Sequence, residues 1–235
     1  MRVENTLLQN SGIEIVYEDN HLIVAEKPVN MLSQADNTGD PDIMSILKEY
    51  IKKRYNKPGN VFLGLVHRLD RPVGGVMVFA RTSKAASRLS EQIRTRKFEK
   101  TYLAVVHGTP SERESCLEHY LEKDKAANTV KVVAPSNDVA KKAVLEYRVL
   151  DTKSELSLVE INLKTGRPHQ IRVQFSYIGH PLFGDQKYGS EINKPGQQIA
   201  LWSARIGFRH PTTKENLCFE SRPPKKYPWA LFNIE

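Results

Sequence analysis

Apolar and polar residues alternate in neighbouring pairs of short segments, and this pattern constrains the fold more than any other feature. The segments AVLEYRVLD (143–151) and ELSLVEINL (155–163) alternate with a period of two, which predicts an antiparallel pair of strands. GIEIVYEDNHLIVAEKP (12–28) predicts another pair, joined by a turn at Glu18-Asp19-Asn20. Strands that come in pairs, without regular strand–helix alternation, favour an α+β fold with a mixed, largely antiparallel sheet.

Helices and loops are predicted to flank this sheet. PDIMSILKEYIKKRY (41–55) has apolar residues at helical spacing, Ile43, Leu47, Tyr50 and Ile51. TSKAASRLSEQIRTRKF (82–98) predicts a helix capped by Thr82 or Ser83, with a stripe formed by Ala86, Leu89 and Ile93. PHQIRVQFSYIG (168–179) predicts a short helix that ends at Gly179.

Other segments give weaker patterns. TYLAVVHG (101–108) predicts a strand, whereas residues 109–142 are polar and charged and predict a mobile excursion with two irregular strands. FRHPTTKENLCFESRPP (208–224) predicts a hairpin across residues 213–216, and residues 190–198 predict a loop. Asn30 favours a turn, because Asn tolerates the left-handed backbone.

Length, composition and charge limit the class of protein. The 235 residues contain no linker rich in Pro, Gly or Ser, which predicts a single catalytic domain over residues 1–235. No secretory signal and no apolar run of about 20 residues is visible, and only Cys116 and Cys218 occur, so a cytoplasmic protein without a membrane partner is expected. Thirty-five Lys and Arg against 27 Asp and Glu leave a charge of +8, which favours a polyanionic partner such as nucleic acid.

Several familiar chemistries lack their motifs. The sequence has no GxxxxGK[ST], GxGxxG, GxSxG or HExxH, and its seven histidines are dispersed without ligand-like spacing. We therefore predict neither a metal site nor a cofactor.

Three polar clusters remain where predicted strands meet turns. The first lies in GLVHRLDRPVGGVMVFART (64–82), where His67-Arg68-Leu69-Asp70 precedes two glycines. The second is Lys100-Thr101-Tyr102, and the third is TGRPHQIR (165–172), followed by IGHPLFGDQKYG (178–189).

Together these clusters resemble the RNA pseudouridine synthases of the RluA type. HRLD is similar to the catalytic-aspartate motif of that family, and His67 favours this branch over the related RsuA type, which usually has Gly there. TGRPHQIRVQ and IGHPLFGDQKYG are similar to later motifs, and the resemblance covers roughly residues 13–229. The sequence departs from the family pattern at Asn30, at Val73-Gly74 and around Trp202. No separate S4 RNA-binding domain is expected.

The resemblance implies an isomerase that converts uridine in structured RNA to pseudouridine in an active-site cleft across the sheet. Asp70 would be the catalytic carboxylate, Arg172 its charge partner and Tyr102 the aromatic that stacks on the target base. Arg68 would occupy the space left by a flipped base, and the remaining expected RNA-contacting residues are His67, Ile171, Arg167, Lys100 and Lys97. The isomerisation conserves all atoms, and an aspartate with an ordinary pKa of about 3.9 is ionised at neutral pH without a base.

Each residue also has a plain structural interpretation. Read alone, Asp70 would be a turn acid, Tyr102 a core residue and Arg172 a surface residue, and only the ordered set of motifs favours catalysis. A catalytically silent RNA-binding or chaperone protein on the same fold is the main alternative, and a metal-dependent nuclease is a second. Ribosomal RNA of the large subunit is slightly preferred over transfer RNA as the substrate, and a monomer is expected.

Overall fold

The structure is a computed structural model that describes residues 8–234, and the chain forms two compact units. The first comprises residues 8–98 and Ser203–Ser221, and the second Glu99–Trp202 and residues 222–234. Most of the strand pairings are antiparallel, as the alternating pattern predicted. No helix within residues 8–234 is both long and apolar enough to cross a membrane.

The first unit is built on strands around β4. Its elements are β1 (Glu14–Glu18), β2 (Leu22–Lys27), α1 (Ile43–Arg54), β3 (Gly64–Leu65), β4 (Gly74–Ala80), α2 (Ser83–Arg94), β11 (Asn216–Glu220) and β10 (Leu201–Arg209), whose first two residues fall in the second unit. The strand order is β1-β2-β4-β10, with β3 also paired to β4 and β11 to β10. The antiparallel pairs are β1 with β2, β2 and β3 with β4, and β10 with β11.

Helix α2 begins after Thr82, one of its two predicted caps, and α1 begins two residues after Pro41, where its start was predicted. The Asp42 side chain accepts from Ser45 N at the start of α1, and Thr82 Oγ1 accepts from Ala85 N at the start of α2. Ala85 and Leu89 of α2 pack in an apolar cluster with residues of β2, β4 and β10. Burying a side chain of the size of Leu89 stabilises the fold by about 1.5–3 kcal/mol.

The second unit contains a five-stranded antiparallel sheet in the order β5-β9-β8-β6-β7. Its elements are β5 (Glu99–His107), β6 (Glu114–Asp124), β7 (Thr129–Val133), β8 (Lys141–Lys153), β9 (Leu156–Leu163), α3 (Gln170–Tyr177) and a 3-10 helix (Trp229–Leu231). Val173 of α3 packs against Leu121, Val130 and Ala143, so the helix lies on the β6–β7–β8 part of the sheet.

Residues 109–142 differ from the prediction. They form the regular strands β6 and β7, which pair with each other, and β6 also pairs with β8. In β6 only Leu117 and Leu121 are buried, and the other residues of the strand are partly or fully exposed. A strand that is held by ladder hydrogen bonds rather than by apolar burial leaves little alternation in the sequence, which therefore predicted a mobile excursion with irregular strands.

Candidate functional site

The loop that carries Asp70 is anchored through the backbone of the preceding residue, Leu69. Ser33 Oγ donates to the Leu69 carbonyl at 2.8 Å and accepts from Leu69 N at 3.1 Å, so one buried hydroxyl satisfies both backbone groups. The Asp70 carbonyl accepts from Val73 N at 3.0 Å and closes the turn. Asp70 itself is half-buried, which leaves its carboxylate on a fixed backbone within reach of solvent.

On the other side of Asp70 the loop is held by a buried lysine. Lys27 is fully buried, and its ammonium donates to the carbonyls of Pro28, Met31 and Arg71 at 3.0, 2.7 and 3.1 Å. Burial lowers the pKa of Lys27 to about 7, and the negative charge of Asp70 opposes this shift. Lys27 therefore ties the segment after β2 to the residue that follows Asp70.

The neighbours of Asp70 have different environments. His67 Nε2 accepts from Val78 N at 3.1 Å, and its ring lies 5.5 Å from that of Phe98, so His67 braces the loop against β4. Arg68 is exposed, as a residue that contacts RNA must be. Gly75 has a φ of +117°, and a Cβ there would lie 2.3 Å from the carbonyl oxygen of Ser203, so only glycine fits.

In the second unit, β5 presents Lys100 and Tyr102 on one face, because residues two apart in a strand point the same way. Tyr102 is 6% and Lys100 9% exposed. Burial lowers the pKa of Lys100. The Lys100 ammonium lies against the loop before α3, since a Cβ added to Gly166 would be 3.3 Å from Nζ.

Arg172 forms a buried ion pair with a residue that the sequence analysis did not single out. Its Nε and Nη2 donate to the two carboxylate oxygens of Asp185, each at 2.8 Å. The side chain of Asp185 is fully buried and that of Arg172 is 9% exposed. This bidentate pair uses two of the five N–H donors of the guanidinium, so Arg172 can bind a second acceptor at the same time.

Further contacts fix this pair in position. The backbone N–H groups of Lys187 and Tyr188 donate to Asp185 Oδ1, and the Arg172 guanidinium lies 5.2 Å from the centre of the Tyr188 ring. The Tyr188 hydroxyl accepts from Val130 N at 2.9 Å and lies 2.6 Å from His169 Nδ1. Arg172 is therefore held between α3, the loop at 185–188 and strand β7.

The loop before α3 is held by a buried glutamine. Gln170 Oε1 accepts from Thr165 Oγ1 and from Arg167 N, while its Nε2 donates to the Val144 carbonyl. His169, at the start of the helix, has a left-handed backbone with a φ of +51° and provides no side-chain cap. These bonds fix the backbone on both sides of Gly166.

The predicted site residues are divided between the two units. His67, Arg68, Asp70 and Lys97 belong to the first unit, and Lys100, Tyr102, Arg167, Ile171 and Arg172 to the second. Within the second unit, Ile171 is buried on α3 next to Arg172, and Arg167 Nε donates to the Lys142 carbonyl at 2.9 Å. Lys97 is exposed just after α2. The expected pairing of Arg172 with Asp70 stays a prediction.

Sequence reasoning missed Lys27, Ser33, Asp185 and Tyr188. Asp185 and Tyr188 lie in the polar cluster GDQKYG that we had quoted, but only the fold shows that this cluster holds Arg172. A lysine at the end of an apolar strand gave a weaker signal, because nothing in the sequence indicates three carbonyls around it.

Comparisons with known proteins agree with the motifs. The RNA pseudouridylate synthase family matches residues 21–177. The "Ribosomal large subunit pseudouridine synthase D" of Zymomonas mobilis is 33% identical over 230 residues, which cover 92% of this chain and 71% of that protein. The protein of the same name from Pseudomonas aeruginosa is 32% identical over 96% of this chain and 72% of its own length.

Solved structures share the fold. "Human RNA Pseudouridylate Synthase Domain Containing 4" matches with a TM-score of 0.77 at 23% identity, over 95% of this chain and 92% of that one. The predicted fold class is therefore confirmed, and the relatives confirm the predicted activity, isomerisation of uridine in RNA to pseudouridine. With the family match over two thirds of its length and these relatives, the chain belongs to the RNA pseudouridylate synthases, in their RluA branch.

Proposed function

We propose that this pseudouridine synthase isomerises uridine in large-subunit ribosomal RNA, with Asp70 as its catalytic carboxylate. The ribosomal substrate is supported by the names of the relatives from Zymomonas mobilis and Pseudomonas aeruginosa. The role of Asp70 is supported by its place in the HRLD motif and by a backbone fixed on both sides, at Leu69 by Ser33 and at Arg71 by Lys27. That fixed, half-buried carboxylate is the observation that carries the proposal.

The reaction breaks the bond between N1 of the base and C1′ of the sugar, turns the base and joins C5 to C1′. A proton leaves C5 and N1 gains one, so the atoms balance. The Asp70 carboxylate attacks the sugar or the base, or removes a proton, and an ionised carboxylate does this without a separate base to activate it. The target base has to leave its stack, which costs a few kcal/mol.

Other residues are assigned supporting roles. Tyr102 stacks on the extruded base, Ile171 provides an apolar wall, and Arg172 supplies a positive charge, which its contacts with Asp185 and Tyr188 hold in a fixed orientation. Arg68 fills the space that the base leaves or contacts the strand. As the sequence predicts, we propose that the chain acts as one catalytic domain. We further propose a cytoplasmic monomer, in keeping with the unpaired cysteines Cys116 and Cys218.

The test is tritium release from large-subunit ribosomal RNA labelled at C5 of uridine. Asp70→Asn is expected to lower the release rate by at least about 10²–10⁴-fold, the usual contribution of a group that moves a proton, with RNA affinity little changed. Asp138→Asn, an exposed acid, is the matched control and should react normally. Full activity of Asp70→Asn would remove Asp70 from the chemistry.

The alternatives give other results in the same experiment. A catalytically silent RNA-binding protein would bind the RNA and release no tritium in its wild-type form. Mapping pseudouridines in total RNA with and without the protein identifies the substrate, and a site found only in transfer RNA would overturn the ribosomal assignment.

A further inference from the structure

The ammonium of Lys100 is buried without a counter-charge. The residue is 9% exposed, and within residues 8–234 its side chain has no hydrogen bond, ion pair or other electrostatic partner. Its Nζ is nevertheless not sealed from solvent, since it is not among the fully enclosed side-chain nitrogens and oxygens of the described residues that lack a hydrogen bond. Burying a charge without a partner is costly, so this arrangement suits a ligand that supplies the missing negative charge.

The surroundings of Nζ favour an anion. Gly166 lies directly against the ammonium, and a Cβ at that position would come within 3.3 Å of Nζ. The loop around Gly166 is held rigid by Gln170 and leads into α3, whose first turn has no acidic residue and no side-chain cap. The first turn of α3 therefore supplies no carboxylate that could pair with the lysine.

We propose that Lys100, approached past Gly166, is a binding subsite for a backbone phosphate of the RNA substrate. The inference rests on the proposed function, because it takes the polyanion to be the RNA that the enzyme modifies. Tyr102 follows Lys100 on the same face of β5, about 6.6–6.8 Å along the strand. We therefore assign to Lys100 a phosphate of the RNA segment that also places a base on Tyr102.

Lys100→Met tests this, because methionine keeps the length of the side chain and removes the charge. If the lysine serves binding, the variant loses a buried charge and is at least as resistant to thermal unfolding as wild type, yet it binds RNA more weakly. The slope of log affinity against log salt should become shallower by about 0.7–0.9, the value for one phosphate contact. Lys52→Met, an exposed lysine on α1, is the control and should leave both RNA affinity and slope unchanged.

A neutral phosphate analogue identifies the partner. Single phosphates of a short RNA substrate are replaced in turn by methylphosphonate, and the affinity of wild type and of Lys100→Met is measured for each RNA. At one position the replacement should weaken binding by wild type but leave the affinity of Lys100→Met unchanged. Gly166→Ala should also weaken binding, since its backbone is not left-handed and the added methyl group only narrows the approach to Nζ.

Three results would overturn the subsite. They are a lower melting temperature for Lys100→Met, an unchanged salt slope, and methylphosphonate effects that add to the mutation at every position. Stabilisation of wild type by inorganic phosphate, with RNA affinity unchanged in Lys100→Met, would assign the site to free phosphate and refute the RNA contact. Tritium release by wild type separates the two proposals. If wild type releases no tritium, the proposed function is refuted. If it releases tritium but Lys100→Met has unchanged RNA affinity and salt slope, only the subsite is refuted.

Discussion

Lys27 provides a stability prediction that can be worked out in detail. The side chain is fully buried, and its ammonium is surrounded by the carbonyls of Pro28, Met31 and Arg71. Burial lowers its pKa to about 7. We consider Lys27→Met, which keeps the length of the side chain and removes the titrating group.

The sign of the effect follows from proton binding. In the unfolded chain a lysine has a pKa of about 10.4, so between about pH 7 and pH 10.4 the unfolded state binds a proton that the folded state lacks. Below about pH 7 the lysine is charged in the folded state, and the desolvation of this charge destabilises the fold. As the pH rises above about 7 the folded lysine loses its proton and the destabilisation decreases. One pKa unit corresponds to about 1.36 kcal/mol, so from about pH 6 to about pH 9 the wild type gains about 2.5 kcal/mol in unfolding free energy relative to Lys27→Met.

Urea unfolding of both proteins over this pH range measures the difference, and Lys52→Met, exposed on α1, controls for general charge effects. A wild-type-minus-variant difference that stays constant from pH 6 to pH 9 would refute the reasoning. It would mean that the three carbonyls replace water well enough to keep the lysine protonated.

Two further predictions concern the framework of the site. Asp185→Ala breaks the buried bidentate pair with Arg172 and should lower the unfolding free energy by about 3–5 kcal/mol in urea. Glu160→Ala, from a half-exposed pair with Arg148, should cost at most about 1 kcal/mol, and equal losses for the two variants would contradict this. Gly75→Ala should lower the melting temperature more than the control Gly39→Ala does. Both glycines have a positive φ, but only at Gly75 would the added Cβ lie 2.3 Å from a backbone oxygen. Similar shifts for the two variants would show that the backbone around Gly75 moves to accept the methyl group.

Local rules predicted much of the fold. Helix α1 buries Ile43, Leu47, Tyr50 and Ile51, the residues whose spacing predicted it. Asn30 has a φ of +63° in a turn, as the tolerance of Asn for the left-handed backbone predicted. The tail forms the predicted hairpin, in which Arg209 pairs with Asn216. In each case the residues on which the prediction was based are the same residues that form the predicted element.

The contacts that support the site were harder to predict from the sequence. Asp185 meets Arg172 from 13 residues away, and Ser33 meets Leu69 from 36 residues away. Such pairs depend on how loops return to the sheet, which neither periodicity nor propensity encodes. The motifs indicated which side chains take part in the chemistry, whereas the residues that hold them are distributed between the motifs.

The buried cations of this chain differ in how their charge is satisfied, and the difference separates framework from function. Lys27 donates to three carbonyls and Arg172 to both oxygens of a carboxylate, so each of these cations has acceptors within the protein. Lys100 has no such acceptor among the described residues. A purely structural lysine would gain nothing from that position, since methionine would fill the same space without the cost of burying a charge. An enzyme whose substrate carries a negative charge at every nucleotide can retain an unpaired cation if the substrate supplies the missing partner.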